Sequence, residues 1–403
     1  MNKIILTLLT FCIYATSWAQ IHFSDSLQIS LLTADPGPNA YDCFGHTGIR
    51  ILDLKRGQDI VFHYGVYNYS EPNFIWHFVQ GKCNYKMGGS YTSDFFDDYK
   101  YRRINLTEQV LDLDSAQANR LTQALLINYL PQNRNYRYSY LFDNCATRPF
   151  SMLNRWVQVH YDTTWVEPTT FRDMIHEMTG RDNWLDFGIA IAVAQRADDQ
   201  ALFAEQMFLP KYLCKAIDHA QTGERPLVKE TITRRNRLTK ESIESKNELG
   251  QGPISPMAAA CLLLIIGLVF TIMRFLRSKQ KIWQILLHCF DSFWLLATGL
   301  TGCIIWFLNF FSEHPAVDHN LNCWWLLPTN LLFIAIIWIK KAEKVRYIYF
   351  FIIFAAEFIY IIMLCACQQY CHPAFIPLLV MIAIRSAALC IETKKYTTRE
   401  RQE

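Results

Sequence analysis

From His46 to Tyr69 apolar and polar positions alternate: H-T-G-I-R-I-L-D-L, a polar turn at Asp53 to Gln58, then D-I-V-F-H-Y-G-V-Y-N-Y. A period of two puts successive side chains on opposite faces of a strand, so the pattern predicts a hairpin with His46 heading the first strand and His63 on the second. Before it, Gln20 to about Thr33 reads as an amphiphilic lead-in, and Ala34 to Asn39 reads as a loop by its prolines and glycine. After it, Asn73 to Met87 fits helix and strand equally, and Phe95 to Leu106 resembles a strand edge carrying Arg102 and Arg103. Asp114 to Leu130 is a helix: Asp114 caps it with Gln117 three residues on, Leu121, Leu125 and Leu126 share a face, and Pro131 ends it. The run from Asn133 places Tyr136, Tyr138, Tyr140 and Phe142 at period two, the signature of a half-buried strand, before Asp143-Asn144 breaks it. A helix with Met152, Leu153 and Trp156 follows. Pro149 is tolerated only in a first turn, which sets Cys145 at or just before the N-cap. Residues 168 to 222 read as two or three further helices, one running from Asp198 to Leu213.

Farther along, the pattern changes character. Arg225 to Pro253 is charged and poor in aromatics, a linker by composition. Five apolar stretches then follow, at about Pro256 to Met273, Leu286 to Phe310, Cys323 to Ile339, Tyr347 to Cys365 and Pro373 to Ile391. Each approaches the length needed to cross a bilayer as a helix. Basic residues follow the first, third and fifth stretches (Arg274, Arg277, Lys279 and Lys281; Lys340, Lys341, Lys344 and Arg346; Lys394, Lys395, Arg399 and Arg401), whereas Ser312 to Asn322 and Gln368 to His372 carry none. The positive-inside rule then places the polar N-terminal part outside. Met1 to Ala19 agrees: Lys3, an apolar run from Ile4 to Tyr14, and Ser17-Trp18-Ala19 before Gln20 read as a cleaved secretory signal. Within the spans, Asp291 is functional or bundle-facing by default, and Arg385, near a helix end, is expected to snorkel.

Composition adds less. A net charge of +3 excludes nothing but a strongly basic nucleic-acid binder. Of 13 cysteines, eight lie beyond residue 255 and four (Cys43, Cys83, Cys145 and Cys214) in the polar part, where no CxxC or zinc-ribbon spacing occurs. Cys43 and Cys83 can pair in an oxidising compartment. Cys145 stands out because a strand-to-helix turn sets it where unpaired helix N–H groups and the dipole's positive end favour a thiolate and can hold an oxyanion. A thiol nucleophile also needs a base and the base an orienting partner, which His46 and His63 supply. Arg50 and Arg148 can pair with Asp53 and Asp143, or hold a lipid phosphate. A Cys/His metal site from Cys43, His46, His63 and Cys145 is a competing reading, and a tethered binding module is another.

A histidine strand that precedes the cysteine helix by 99 residues (145 − 46) resembles the circularly permuted papain-like (NlpC/P60-type) enzymes. The fuller pattern, G-H-T-x-I-R, an aromatic strand, then Y-x-Y-x-x-D-N-C-x-T-R, resembles the lipoprotein N-acyltransferase (Lnb) family of Bacteroidota. The loop H-P-A-V-D-H-N-L-N-C-W-W-L-L-P is similar to that family's membrane part. The chain departs from the pattern at His63, where asparagine is expected before Tyr64-Gly65, and at Pro149 after Arg148. The resemblance implies an α+β fold: a signal peptide (1–19), a periplasmic papain-like catalytic domain (20–223), a linker (224–255), an all-α five-span transmembrane bundle (256–391) and a cytoplasmic tail (392–403), held in the bacterial inner membrane. It implies Cys145, His46 and His63 as catalytic, and Arg50, Tyr64, Asn144 and Arg148 as substrate-binding, with no metal and no cofactor. Cys145 would take an acyl chain from a phospholipid as a thioester and pass it to the α-amino group of a diacylated lipoprotein, with the bilayer as a partner and nucleic acid as none. A papain-like peptidase or amidase acting on cell-wall peptides is the alternative.

Overall fold

The structure, a computed structural model, describes residues 23–67, 72–236, 250–277 and 280–400. The expected signal Met1 to Ala19 and residues 237–249 of the expected linker lie outside the described residues. The chain is mixed α+β, a sheet-rich N-terminal part followed by a helical part.

Seven antiparallel strands form the main sheet. The chain runs β1 (Leu27–Ala34), β2 (His46–Asp53), β3 (Asp59–Val66), α1 (Phe74–Val79), β4 (Asn84–Tyr91), α2 (Thr92–Tyr101), β5 (Leu106–Leu111), α3 (Ser115–Tyr129), β6 (Asn135–Arg137) and α4 (Thr147–Val157). A second, small sheet and its helices follow: β7 (His160–Tyr161), α5 (Phe171–Thr179), α6 (Trp184–Ala192), a 3₁₀ turn (Gln195–Asp198), α7 (Phe203–Gln206), α8 (Pro210–Asp218), β8 (Ala220–Thr222), β9 (Arg225–Pro226) and then β10 (Val228–Arg234). The main sheet has the order β10-β5-β1-β2-β3-β4-β6. In the predicted hairpin Gly48 faces His63 and Arg50 faces Val61, so the two histidines come from neighbouring strands.

Strand alternation divides the core in two. Ile29, Leu31, Ile49, Ile51 and Phe62 face α3 and α4, against Leu121, Leu125, Leu153 and Val157. Leu32, Val61 and Leu106 face α2, against Phe95 and Tyr99. The Asp114/Gln117 capping box forms as predicted.

Several expectations are corrected. Gln20 to Thr33 holds most of β1, an interior strand of the sheet, its Leu31 and Leu32 buried on opposite faces. Phe95 to Leu106 is mostly helix α2: Phe95 and Tyr99, four apart, form its buried stripe, and Asp94, Asp97 and Asp98 turn outward. The tyrosine strand shrinks to the three residues of β6 and gives way to a turn closed by a Ser139–Asp143 bridge. Asp198 to Leu213 is broken into separate turns, the last starting at Pro210. Val228–Arg234 of the expected linker is an edge strand of the sheet; Lys229 and Glu230 face water as an edge allows, and Arg234 folds back onto Glu108 and Phe96. Cys43 and Cys83 do not pair with each other; their thiols donate to the Ala40 and Phe74 carbonyls.

The helical part comprises α9 (Pro256–Arg277), α10 (Lys281–Phe311), a 3₁₀ turn (Leu321–Trp324), α11 (Asn330–Ile337), α12 (Glu343–Cys367) and α13 (Phe375–Glu400). Among the described residues three helices, α9, α10 and α12, are long and apolar enough to cross a membrane; α13 is apolar over Phe375–Ile391. The third expected stretch, Cys323 to Ile339, is not one helix. Its eight-residue α11 rises only ~12 Å, because Pro328 interrupts the ladder after the 3₁₀ turn. The broken segment lies against Gly299 and Gly302 of α10, where a Cβ would come within 3.0 Å of Leu326 and Leu331 atoms. Its polar groups find partners there: Asn330 donates to Thr298 Oγ1 at 2.8 Å and accepts from Tyr349 at 2.6 Å.

Among the described residues, two groups of hydrogen bonds hold the helical part to the sheet-rich part away from the start of α9. At one, the side-chain amides of Asn320 and Asn322 donate to the last carbonyls of α6, those of Ala190, Ile191 and Ala192, while Tyr370 donates its N–H to Asp198. At the other, the residues after α10 grip α1: Ser312 Oγ donates to the Val79 carbonyl at 2.8 Å and Glu313 N–H to the Gln80 carbonyl at 2.9 Å.

Candidate active site

Cys145 precedes Ala146, the N-cap of α4, where Pro149 required it to be. The turn that carries it is fully bonded. Asn144 Oδ1 accepts from the N–H groups of Ala146 and Thr147 at 2.8 and 3.0 Å, and its Nδ2 donates to the carbonyls of Tyr140 and Phe208 at 2.6 and 2.9 Å. Arg148 reaches back across the turn to Asp143 in a bidentate pair, at 2.6 and 2.8 Å, and lies 3.6 Å from the Tyr136 ring centroid. Such forked, charge-assisted pairs fix geometry as well as adding energy. Gly65, with φ +90°, lets β3 pass close by; a Cβ there would sit 3.7 Å from that of Cys145.

The thiol meets β2 at its start. The Thr47 backbone N–H is directed at Cys145 Sγ, and the residue before Thr47 is His46. His46 Nε2 lies 3.0 Å from His63 Nδ1, the rings set edge to face. For one proton to join them with His46 Nδ1 left free as a base, His46 must carry its proton on Nε2 and His63 on its own Nε2. His63 in turn rests on Phe95 and on Gly88, where a Cβ would crowd its Nε2 at 3.1 Å. In that tautomer His63 Nδ1 accepts from His46, as asparagine's amide oxygen at the same position would.

Electrostatics set the resting state. Burial, then the neighbouring His63 and Arg102, pushes the His46 pKa down to about 3, and burial pushes His63 down to about 4. Burial pushes the Cys145 thiol up to about 11, against the pull of the Thr47 and Cys145 N–H groups. The helix mouth does not hold a thiolate at neutral pH: desolvation outweighs the backbone donors, and the thiol and both imidazoles are neutral.

One prediction follows directly. Alkylation of Cys145 by iodoacetamide, followed by mass spectrometry, should speed up about tenfold per pH unit between pH 7 and 9, as thiolate grows below a high pKa. A rate flat with pH there would show an ion pair instead. A second concerns the acceptor: His63→Ala should lower the rate of Cys145 acylation roughly 10–100-fold by freeing the His46 ring, and His63→Asn should restore most of it. If both variants lose equally, position 63 does not act as an acceptor.

The remaining expected site residues lie elsewhere or are already engaged. Asn144, 4% exposed, has its amide consumed by the turn. Arg50 pairs with Asp59 and Glu108, each at 2.6 Å, and not with Asp53, which points to the other face and accepts from Ser24, Lys55 and Arg56 instead. Tyr64 is buried and donates to Asn128 at 2.6 Å. Asn144 and Arg148 hold the turn that bears Cys145, Tyr64 lies under Arg148, and Arg50 sits farther along β2, away from the turn. Thr47, Gly65 and Gly88 had no sequence signal beyond residue type, because their roles rest on contacts between distant segments.

Cys43, His46, His63 and Cys145 form no metal-ligating group among the described residues. The one such group is Asp182, Asp186 and His372, at the seam between the two parts. There the Ala374 N–H donates to His372 Nδ1 at 3.1 Å, which puts the ring proton on Nε2, facing Asp186 at 3.6 Å. A protonated nitrogen has no lone pair for a metal, and the group reads as a polar lock between parts.

Comparison with known families agrees with this division of the chain. The family model described as the Lnb N-terminal periplasmic domain matches residues 14–177, and that described as the Lnb transmembrane domain matches residues 246–397. No curated protein and no solved structure matches the chain.

Proposed function

The chain belongs to the Lnb family, a membrane protein with a periplasmic part, and from that premise we propose that it is a lipoprotein N-acyltransferase of the inner membrane working through a thioester. The observation that carries the reading is Cys145 at the mouth of α4, beside Thr47, whose chain neighbour His46 pairs with His63, in a domain bonded to membrane-crossing helices.

The half-reactions need only these groups. Cys145 Sγ attacks an ester carbonyl of a phospholipid as its proton passes to His46 Nδ1. The Cys145 N–H contributes to the oxyanion hole. When the intermediate collapses, His46 returns the proton to the departing glycerol oxygen, and a lysophospholipid leaves with the acyl chain held as a thioester. The neutral α-amino group of a diacylglyceryl-cysteine then attacks the thioester, loses a proton to His46, and becomes an amide; His46 reprotonates the sulfur. A papain-like arrangement, with the histidine strand before the cysteine helix, fits these roles. Both substrates are lipids or lipid-anchored, and a domain fixed to the bilayer meets them at high effective concentration.

The test is expression in bacterial cells lacking their own lipoprotein N-acyltransferase, with mass spectrometry of lipoprotein N-termini. An added acyl chain is the expected result; unmodified amino groups would sink the reading.

A further inference from the structure

Helix α1 is too short to stand alone and too apolar to face water. Ile75 is 75% exposed, Trp76 52% and Phe78 45%, while Phe74 turns inward. A contiguous apolar patch of this kind marks an interaction surface. Its surroundings say which. Trp76 packs on Phe307 of the crossing helix α10, ring centroids 5.0 Å apart. His314 Nε2 bonds to the Phe78 carbonyl at 2.7 Å, and Gly81 lets the backbone of Glu313 and His314 approach so closely that a Cβ would lie 2.7 Å from His314 N. The exposed rings of Trp306, Phe310 and Phe311 at the end of α10 continue the same surface. The end of a spanning helix fixes a depth, so Ile75 and Trp76 are held at the level of the adjoining leaflet, where Trp and other large apolar side chains are favoured.

From the inner side of α1 a file of rings leads to the thiol. Phe74 stacks with Tyr67 at 5.6 Å, Tyr67 meets Tyr85 at 5.3 Å, and Tyr85 stacks on Tyr138 at 4.3 Å. At Gly65 the file ends: a Cβ there would sit 3.9 Å from Tyr138 and 3.7 Å from Cys145 Cβ. Lys82 and Arg137, each paired with Glu313, give this path a polar rim.

We propose that α1 is seated in the leaflet adjoining the sheet domain, and that with Phe74, Tyr67, Tyr85 and Tyr138 it forms the route by which a glycerophospholipid acyl chain reaches Cys145. The occupant is an acyl chain because the file of packed rings begins beside the spanning helix α10, is aromatic along its length, and ends at a thiol, so a chain slides along it as the rings turn aside. The proposal rests on the acyltransferase reading, and its tests separate the two.

The full chain is reconstituted in phosphatidylethanolamine vesicles containing a phospholipid with a terminal diazirine on one acyl chain, irradiated, digested and analysed by mass spectrometry. Label within residues 74–79 is expected; label confined to the helices α9 to α13 overturns the proposal. In parallel, Ile75→Asp should slow thioester formation on Cys145 from vesicle phospholipid about tenfold, while acetylation of Cys145 by water-soluble p-nitrophenyl acetate changes less than twofold. Equal slowing of both, or of neither, overturns the route. A wild-type protein whose Cys145 takes acetyl from the soluble ester but nothing from phospholipid would instead refute the acyltransferase reading, and the proposal with it.

Discussion

Cys145→Ala is expected to lower lipoprotein N-acylation by at least about 10³-fold, because without the sulfur no thioester forms and the remaining groups offer only binding and oxyanion stabilisation. The geometry makes this a clean test. The turn that bears Cys145 is held by Asn144 and by the Asp143–Arg148 pair, neither of which uses the thiol. Removing one buried sulfur should therefore cost at most ~1–2 kcal/mol of stability. Cys145→Ser should fail almost as badly: a buried hydroxyl beside a neutral imidazole of depressed basicity is harder to deprotonate than a thiol. Both variants are to be compared by mass spectrometry of lipoprotein N-termini at matched membrane abundance. Activity within tenfold of wild type in Cys145→Ala would place the nucleophile elsewhere.

The residues of this site could be read from the sequence to different degrees, and the differences are physical. The His46–His63 hairpin was legible because strand periodicity acts over two residues, and the place of Cys145 because a single proline restricts a single turn. The partnership of the two imidazoles needed only the hairpin's register. The state of the thiol was not legible: its surroundings come from β2, β3 and the tyrosines around β6, and burial by distant segments decides its pKa. Helix α2 was misread because aromatic residues favour strands as a class, while here Phe95 and Tyr99 sit four apart against Leu32 and Val61. Strand β10 was hidden by its charge, which an edge position tolerates and composition alone assigns to a tether. The lead-in strand β1 failed for the opposite reason, being buried on both faces and thus without alternation. Helix α1 fitted two periods equally, and only its contact with the end of α10 gives it a meaning.

The membrane part offers the second large effect, at Asp291. Its carboxylate is buried between two cations: Arg274 of α9 reaches Oδ2 at 2.5 Å, and Arg385 of α13 reaches Oδ1 at 2.7 and 2.9 Å. Arg385, expected to snorkel, is instead fully buried and also donates to Thr271 Oγ1 at 3.0 Å. One aspartate thus ties three helices together. Asp291→Ala would leave two like charges facing each other in an apolar bundle, and removing one member of a buried ion pair typically costs about 3–5 kcal/mol. The expected result is a large fall in the unfolding midpoint in mild detergent and in the yield of folded protein. A midpoint within a few degrees of wild type would show that the carboxylate holds nothing. Replacing the whole set, as Arg274→Met, Asp291→Leu and Arg385→Met together, should recover most of the loss, because the desolvation penalty disappears along with the attraction. The triad lies 18 residues along α9 from Pro256, about 27 Å from the end that meets the sheet domain. Acyl transfer per folded molecule should accordingly change little in the triple variant, which separates a clamp that holds the bundle together from a group that takes part in the chemistry at Cys145.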